Sequence, residues 1–174
     1  MAFNVEDGTI VDFANSFCTV EDARSFADSR GLTLPTDDTQ VEQFLVQATD
    51  FISTLESRFQ GTRSDVNQEL SFPRDNIEIY GNDASGLIPT LLKHATARLA
   101  YDVSTGVDLQ ATTTGQSVLE EGVGALRVKY VDQSAVTGSA DAEARFTAAM
   151  NLLEPLFDKS SSASNGGFIT HVTR

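Results

Sequence analysis

The strongest apolar pattern in the chain lies at 41–59, where Val41, Phe44, Leu45, Ala48, Phe51, Ile52, Leu55 and Phe59 recur at intervals of three and four. That spacing gathers them on one face of a 3.6-period helix, which predicts a central helix over about 37–59. Pro35 and Thr36-Asp37-Asp38 stand in front of it as a stop, cap candidates and negative charge for the positive helix end. Behind it, Gly61 and Phe72-Pro73-Arg74 require the backbone to leave helical geometry.

Upstream, residues 1–18 read as an extended segment with turn points at Gly8 and Asn15. Thr19-Val20-Glu21-Asp22 is a capping pattern followed by Ala23, Phe26 and Ala27, which predicts a short helix that Gly31 ends in the left-handed conformation. Downstream, 60–85 reads as a long irregular connection punctuated by Pro73, Gly81, Asn82, Asp83 and Gly86, with strand-like composition at Asn76–Tyr80. Connections of this length are usually functional or serve assembly.

Ile88-Pro89-Thr90 begins the next helix, whose stripe is Ile88, Leu91, Leu92, Ala95, Leu99 and Val103, and Gly106 ends it. Its small Ala95, Ala97 and Ala100 permit close approach to the central helix. After a polar 107–117 the period changes to 2: Val118–Glu121 and Ala125–Val131 flank Gly122-Val123-Gly124, a hairpin signal. Leu126, Val128 and Tyr130 alternate there with Arg127 and Lys129. A lone hairpin is marginal in water, so it must lie on a helix or pair with another chain. Residues 141–157 predict a last helix with Phe146, Met150, Leu153 and Leu156 inward and Pro155 kinking or shortening it. From Lys159 onward the composition is that of a flexible Ser/Gly linker, ending in the β-prone Phe168–Arg174. The expected fold is mainly α: a small bundle of about four helices with one β-hairpin, a long irregular loop and an extended C-terminal arm. The folded domain would cover 1–158, including the hairpin at 118–131, and the arm 159–174.

Charge narrows the function. Lys plus Arg number 12 against 25 Asp plus Glu, a net charge of −13, so the average surface repels phosphate backbones and anionic membranes. No segment approaches the ~20 apolar residues of a membrane span, and the N-terminus lacks the basic flank and apolar run of a signal peptide. Cys18 stands alone, so no intramolecular disulfide is expected, and a soluble protein from a reducing compartment follows.

Catalytic chemistry finds little support. One Cys with the distant His94 and His171 cannot close a tetrahedral metal site, and His171 lies in the arm, where a general base could not be positioned. Gly122-Val123-Gly124 follows Glu120 and Glu121, which would repel a phosphate, so a turn is the better reading. Asp37-Asp38 suits a helix start, and Glu120-Glu121 a solvated strand edge or a lumen. No enzyme, cofactor or metal is expected. Arg58, Arg63 and Arg74, interleaved with Phe59 and Phe72, could stack and grip bases, but Glu56, Asp65 and Glu69 lie among them. The plainer readings are core phenylalanines with arginines on nearby carboxylates, or a contact with another subunit.

The ordered motifs then bear on family. Asn15-Ser16-Phe17-Cys18-Thr19-Val20-Glu21-Asp22-Ala23 opens a short helix, followed by Ala48-Thr49-Asp50-Phe51-Ile52, Phe59-Gln60-Gly61 and Leu70-Ser71-Phe72-Pro73-Arg74. Ile88-Pro89, Lys93-His94-Ala95-Thr96, Leu99-Ala100, and Val123-Gly124 leading into Val128-Lys129-Tyr130 complete the set over roughly residues 5–158. This order resembles the tailed-phage proteins often labelled DnaT-like single-stranded-DNA-binding, a family associated with head–tail connector (adaptor, head-completion) proteins. Phe17 and Phe51 stand where that family more often has Tyr, and Phe72 where Trp is common. The resemblance implies a mainly helical virion protein, made in the host cytoplasm and assembled at the head–tail interface as a ring of about twelve copies beneath the portal. Its partners would be itself, the portal and the next neck or tail-completion protein, with DNA passing through the channel without specific binding. Arg58, Arg63, Phe72, Pro73, Arg74 and the arm residues Phe168, Ile169, Val172 and Arg174 are the expected subunit or portal contacts. Glu120, Glu121, Arg127 and Lys129 of the hairpin are the expected ring or lumen element. The alternative is a single-stranded-DNA-binding replication accessory protein, as the family label has it.

Overall fold

The computed structural model describes residues 2–109, 120–123, 126–129 and 146–158, with 120–123 and 126–129 described by backbone alone. Its helices are α1 (Val20–Asp28), α2 (Asp38–Thr54), α3 (Thr90–Ser104) and α4 (Thr147–Leu153). Short antiparallel pairs join β1 (Thr62–Arg63) to β2 (Arg74–Asp75), β3 (Glu78–Ile79) to β4 (Asn82–Asp83), and β5 (Glu120–Val123) to β6 (Leu126–Lys129). The fold is mainly helical, as the apolar periodicity requires.

Helix starts follow their caps. Thr19 accepts the Asp22 amide at 3.0 Å to begin α1, and Asp37 accepts the Thr39 amide at 3.0 Å to begin α2. Gly31, at φ +65°, closes α1: its amide reaches the Asp28 carbonyl while the Leu32 amide reaches that of Ala27, the paired bonds of a Schellman ending. The central stripe is buried at Val41, Leu45, Ala48, Phe51, Ile52, Leu55 and Phe59. It is shared between elements, however: α2 stops at Thr54, and a 3-10 turn over Glu56–Arg58 carries the chain to Phe59.

The hub is α3 rather than α2, because α3 packs against α1, α2 and α4. Its buried Leu92, Ala95, Thr96, Ala97, Leu99 and Ala100 are mostly small, which lets neighbours approach from several sides. The buried Thr49 and Thr96 hydroxyls donate back to the Leu45 and Leu92 carbonyls at 2.9 Å, so neither costs an unmade hydrogen bond.

Other expectations change. The 60–85 connection carries two antiparallel pairs, with the strand expected at Asn76–Tyr80 reduced to Glu78–Ile79 and folded back on Asn82–Asp83. In the later hairpin, Gly122 pairs with Arg127 and Val123 with Leu126, so both lie in the strand rather than in the turn expected at 122–124, of which Gly124 falls outside the described residues. The last helix begins at Thr147, with Phe146 at φ −117° outside it, and ends before the 3-10 turn Glu154–Leu156 that holds Pro155. Residues 141–145 of the expected helix and the whole arm 159–174 lie outside the described residues. Residues 2–18 close into a loop: Val5 bridges Ser16, and the left-handed turns fall at Gly8, Ile10 and Phe13, while Asn15 ties the loop's ends.

Candidate functional site: the 56–83 loop

The loop that carries the sequence's arginines and phenylalanines is built around one carboxylate. Glu56 takes two bonds from Arg63, Nε to Oε1 and Nη2 to Oε2, each 2.6 Å, and Arg74 Nη1 lies 3.5 Å from Oε1. The Arg63 hydrogen bonds, with the nearby guanidinium charges of Arg63 and Arg74, hold Glu56 below the ordinary glutamate pKa despite its partial burial. Arg63 also donates to the Gln68 carbonyl at 2.8 Å.

Arg74 is only 6% exposed, and its guanidinium works on backbone. Nε donates to the Gln60 carbonyl at 2.7 Å, Nη2 to that of Gly61 at 2.8 Å and Nη1 to that of Ser71 at 3.2 Å. A fork of fixed donors thereby gathers carbonyls from both sides of the loop. Gln68, also buried, does the same inside it, donating to the Leu70 and Pro73 carbonyls while accepting the Asp65 amide. Gly61 sits at φ +65° with the Asp75 carbonyl oxygen 1.9 Å from where a Cβ would be, so only glycine lets β1 and β2 meet.

The phenylalanines point inward. Phe72 is fully buried, edge-on to Phe17 at 6.1 Å and to Phe59 at 5.0 Å, and Phe59 stacks on Phe157 at 5.3 Å. The Phe72–Pro73 peptide is cis, and Pro73 is buried. Arg58 lies over the Phe157 ring at 4.2 Å. The structure thus brings Arg58, Arg63, Phe72, Pro73 and Arg74 together as the anchor of the loop. Phe72, Pro73 and Arg74 are buried in the single chain, with Arg74 keeping 6% of its surface. Phe168, Ile169, Val172 and Arg174 fall outside the described residues, as do the side chains of Glu120, Glu121, Arg127 and Lys129. The β5–β6 register sets Glu120 opposite Lys129 and Glu121 opposite Val128.

What the loop exposes is apolar and acidic. Val66 is 88% exposed at one turn and Tyr80 77% exposed at the other. Tyr80 and Gly81, at φ +53° and +80°, form the two-residue turn between β3 and β4, where Asn-Gly is the usual choice. Beside that turn a groove of ≈ 350 Å³ is lined by Gln60, Glu78, Tyr80, Pro155 and Asp158. Asp83 is held below the ordinary aspartate pKa by the Ser85 hydroxyl and amide, so this end of the molecule stays anionic.

The described nucleophile candidates sit elsewhere, around a cleft of ≈ 340 Å³ between α1 and α3 that Cys18, Asp22, Arg30, Lys93 and His94 line. Burial pushes the Cys18 thiol up to about 12, so it stays protonated at neutral pH. His94 packs against Phe26 at 5.0 Å, and burial, then the Arg30 charge, lowers its pKa. Among the described residues no group of His, Cys, Asp and Glu is placed to hold a metal ion, and no helix is long and apolar enough to cross a membrane.

Every described basic side chain is engaged. Arg24 pairs with Asp38 at 2.7 Å, Lys93 with Asp22 at 3.8 Å and Arg98 with Asp102 at 3.2 Å. Arg30 lies over Phe26 at 3.8 Å, and Arg58, Arg63 and Arg74 are placed as above. Sequence reasoning missed Gln68, Tyr80 and the N-terminal Glu6: Glu6 and Gln68 bond to backbone only two to five residues away, in irregular loops that carry no periodic signal. Tyr80-Gly81 between alternating Ile77, Ile79 and Asn82-Asp83 carried a readable two-residue turn signal.

Fold and site together define a small, mainly helical, acidic domain with an internally braced loop. The chain belongs to the family described as "Putative DnaT-like ssDNA binding protein", whose model matches residues 1–174. Among curated proteins and among solved structures, nothing matches it significantly.

Proposed function

We propose that this chain is a non-enzymatic assembly subunit that acts through protein–protein contacts, as a head–tail connector binding itself in a ring, the portal above and the next neck or tail component below. The observation that supports it most is the state of its cations: the described basic side chains are spent on carboxylates, rings and backbone carbonyls. Phe59 and Phe72, the rings interleaved with the loop arginines, are buried and cannot stack bases. A charge of −13 suits a channel wall that DNA passes without being gripped. Virion localisation follows from this reading.

The family description favours the second reading, single-stranded-DNA binding. Contacts to phosphate would then fall to cations outside the described side chains, first of all Arg127 and Lys129 of the β5–β6 hairpin. Titrating a labelled single-stranded oligonucleotide with the full chain at two salt concentrations separates the readings. The assembly reading expects no saturable binding at physiological salt. Tight binding with a steep salt slope, abolished by Arg127→Ala with Lys129→Ala, would replace it with the DNA reading.

A further inference from the structure

The N-terminal loop is organised by a buried charge. Glu6 is 1% exposed, and its carboxylate accepts three backbone amides: Gly8 at 2.9 Å and Ile10 at 3.1 Å on Oε1, and Val11 at 3.0 Å on Oε2. Asn4 Nδ2 holds the far side through the Asp12 and Phe13 carbonyls at 3.3 Å, and the Asn4 amide donates to Asn15 Oδ1 at 3.0 Å. The loop's back rests on the body, since a Cβ at Gly8 would lie 3.1 Å from the Gly86 carbonyl. So many bonds on so few residues fix its shape.

What that shape displays runs against local preference. Ile10 and Phe13 adopt φ +62° and +58°, a region costly for a β-branched or bulky side chain. Phe13 is 76% exposed and Ile10 38%. A large ring held in solvent in a strained conformation gains nothing for the isolated subunit, and strain kept in place by surrounding bonds points to a use.

We propose that the 7–13 loop is a docking knob, with Phe13 and Ile10 entering an apolar pocket rimmed by Lys or Arg on a different protein, which under the assembly reading above is the portal. Charge selects that partner. Asp7 precedes the apolar pair and Asp12 stands between its two members, and the Thr9 hydroxyl and amide, at 2.6 and 3.0 Å, lower the Asp7 pKa below the ordinary aspartate value. Carboxylates at the rim repel nucleic-acid phosphate and attract a basic rim. A second copy is a poor match, because its described cations are already engaged by its own carboxylates, rings and backbone.

The test uses the full chain and purified portal rings, comparing wild type, Phe13→Gly and a control, Val107→Ser, at an exposed position beyond α3. Gly relieves the left-handed strain, so Phe13→Gly should melt at or above the wild-type temperature while its portal affinity falls roughly tenfold or more. Val107→Ser should bind as wild type, and raising salt should weaken wild-type binding. If wild type binds and Phe13→Gly binds equally well, the knob is wrong and the connector reading stands. Binding indifferent to salt would overturn the basic rim. If wild type itself ignores portal, the connector reading falls, and the knob's assignment with it. A Phe13→Gly loss seen only with a labelled single strand would make the loop a base-stacking element instead.

Discussion

Two loops in this protein are each pinned by one buried charged side chain, and the signs are opposite. In the 7–13 loop the Glu6 carboxylate collects amide hydrogens; in the 60–75 loop the Arg74 guanidinium collects carbonyl oxygens. The anion-centred loop turns its large side chain, Phe13, out to solvent, whereas the cation-centred loop buries Phe72 completely. The difference separates two uses of loop backbone. One loop completes the hydrophobic core and braces the fold; the other spends local strain to hold a side chain where only a partner could use it.

Breaking the braces should expose that difference. Arg74→Met keeps the apolar length but leaves the Gln60, Gly61 and Ser71 carbonyls without this donor and Glu56 with Arg63 alone. It should cost about 3 kcal/mol in urea unfolding, because three loop carbonyls lose a charged donor at once and are left without that hydrogen bond. Glu6→Gln removes a charge while keeping its shape, and turns an amide NH₂ toward backbone donors. A loss of about 2 kcal/mol is expected, with faster amide exchange at Gly8, Ile10 and Val11. An effect of Glu6→Gln as large as that of Arg74→Met would erase the distinction between brace and display.

The pH response should be smaller and follow Glu56. Its pKa is lowered in the folded state, chiefly by the Arg63 hydrogen bonds, so its contribution is fully present above the ordinary glutamate value of 4.5. That contribution is lost as pH falls below 4.5 toward the folded value. Asp102 opposes it: burial raises its pKa, so its protonation favours the folded state as pH falls through the same region. Glu56→Gln should therefore flatten, or even invert, the stability loss between pH 5 and pH 3, read from urea midpoints. An unchanged slope would show that the Glu56–Arg63 pair is without consequence.

The smallest expected change has the opposite direction. Phe13→Gly should stabilise the protein by up to about 1 kcal/mol by removing left-handed strain from an exposed residue. A clear destabilisation would mean that Phe13 serves its own fold.

The helical body was readable because helix signals are local. The stripe at 41–59, the Thr19 and Asp37 caps, the Gly31 ending and Pro155 each act within a few residues, and the helices formed at those signals, although α2 ends at Thr54, short of the stripe's end. The hub was less readable. Ala95, Thr96, Ala97 and Ala100 look modest beside the phenylalanines of α2, yet small residues let α3 touch three neighbours. The site was legible in composition and illegible in direction. Arg63 and Arg74 could be seen among carboxylates, but that Arg74 would turn inward depends on the Gln60 and Ser71 carbonyls, placed only when the loop closes. Glu6 and Phe13 gave no periodic signal at all, since a carboxylate gathering amides two to five residues ahead resembles any polar loop. Isolated outward side chains are decided by tertiary closure, which no local pattern records.

The most direct test is to image the full chain by negative stain, alone and mixed with purified portal rings. The assembly account predicts rings of the chain, or portal that gains a collar of it with countable copies. Portal rings unchanged by an excess of the chain, with the chain alone showing no rings, would contradict it and shift the weight to single-stranded-DNA binding.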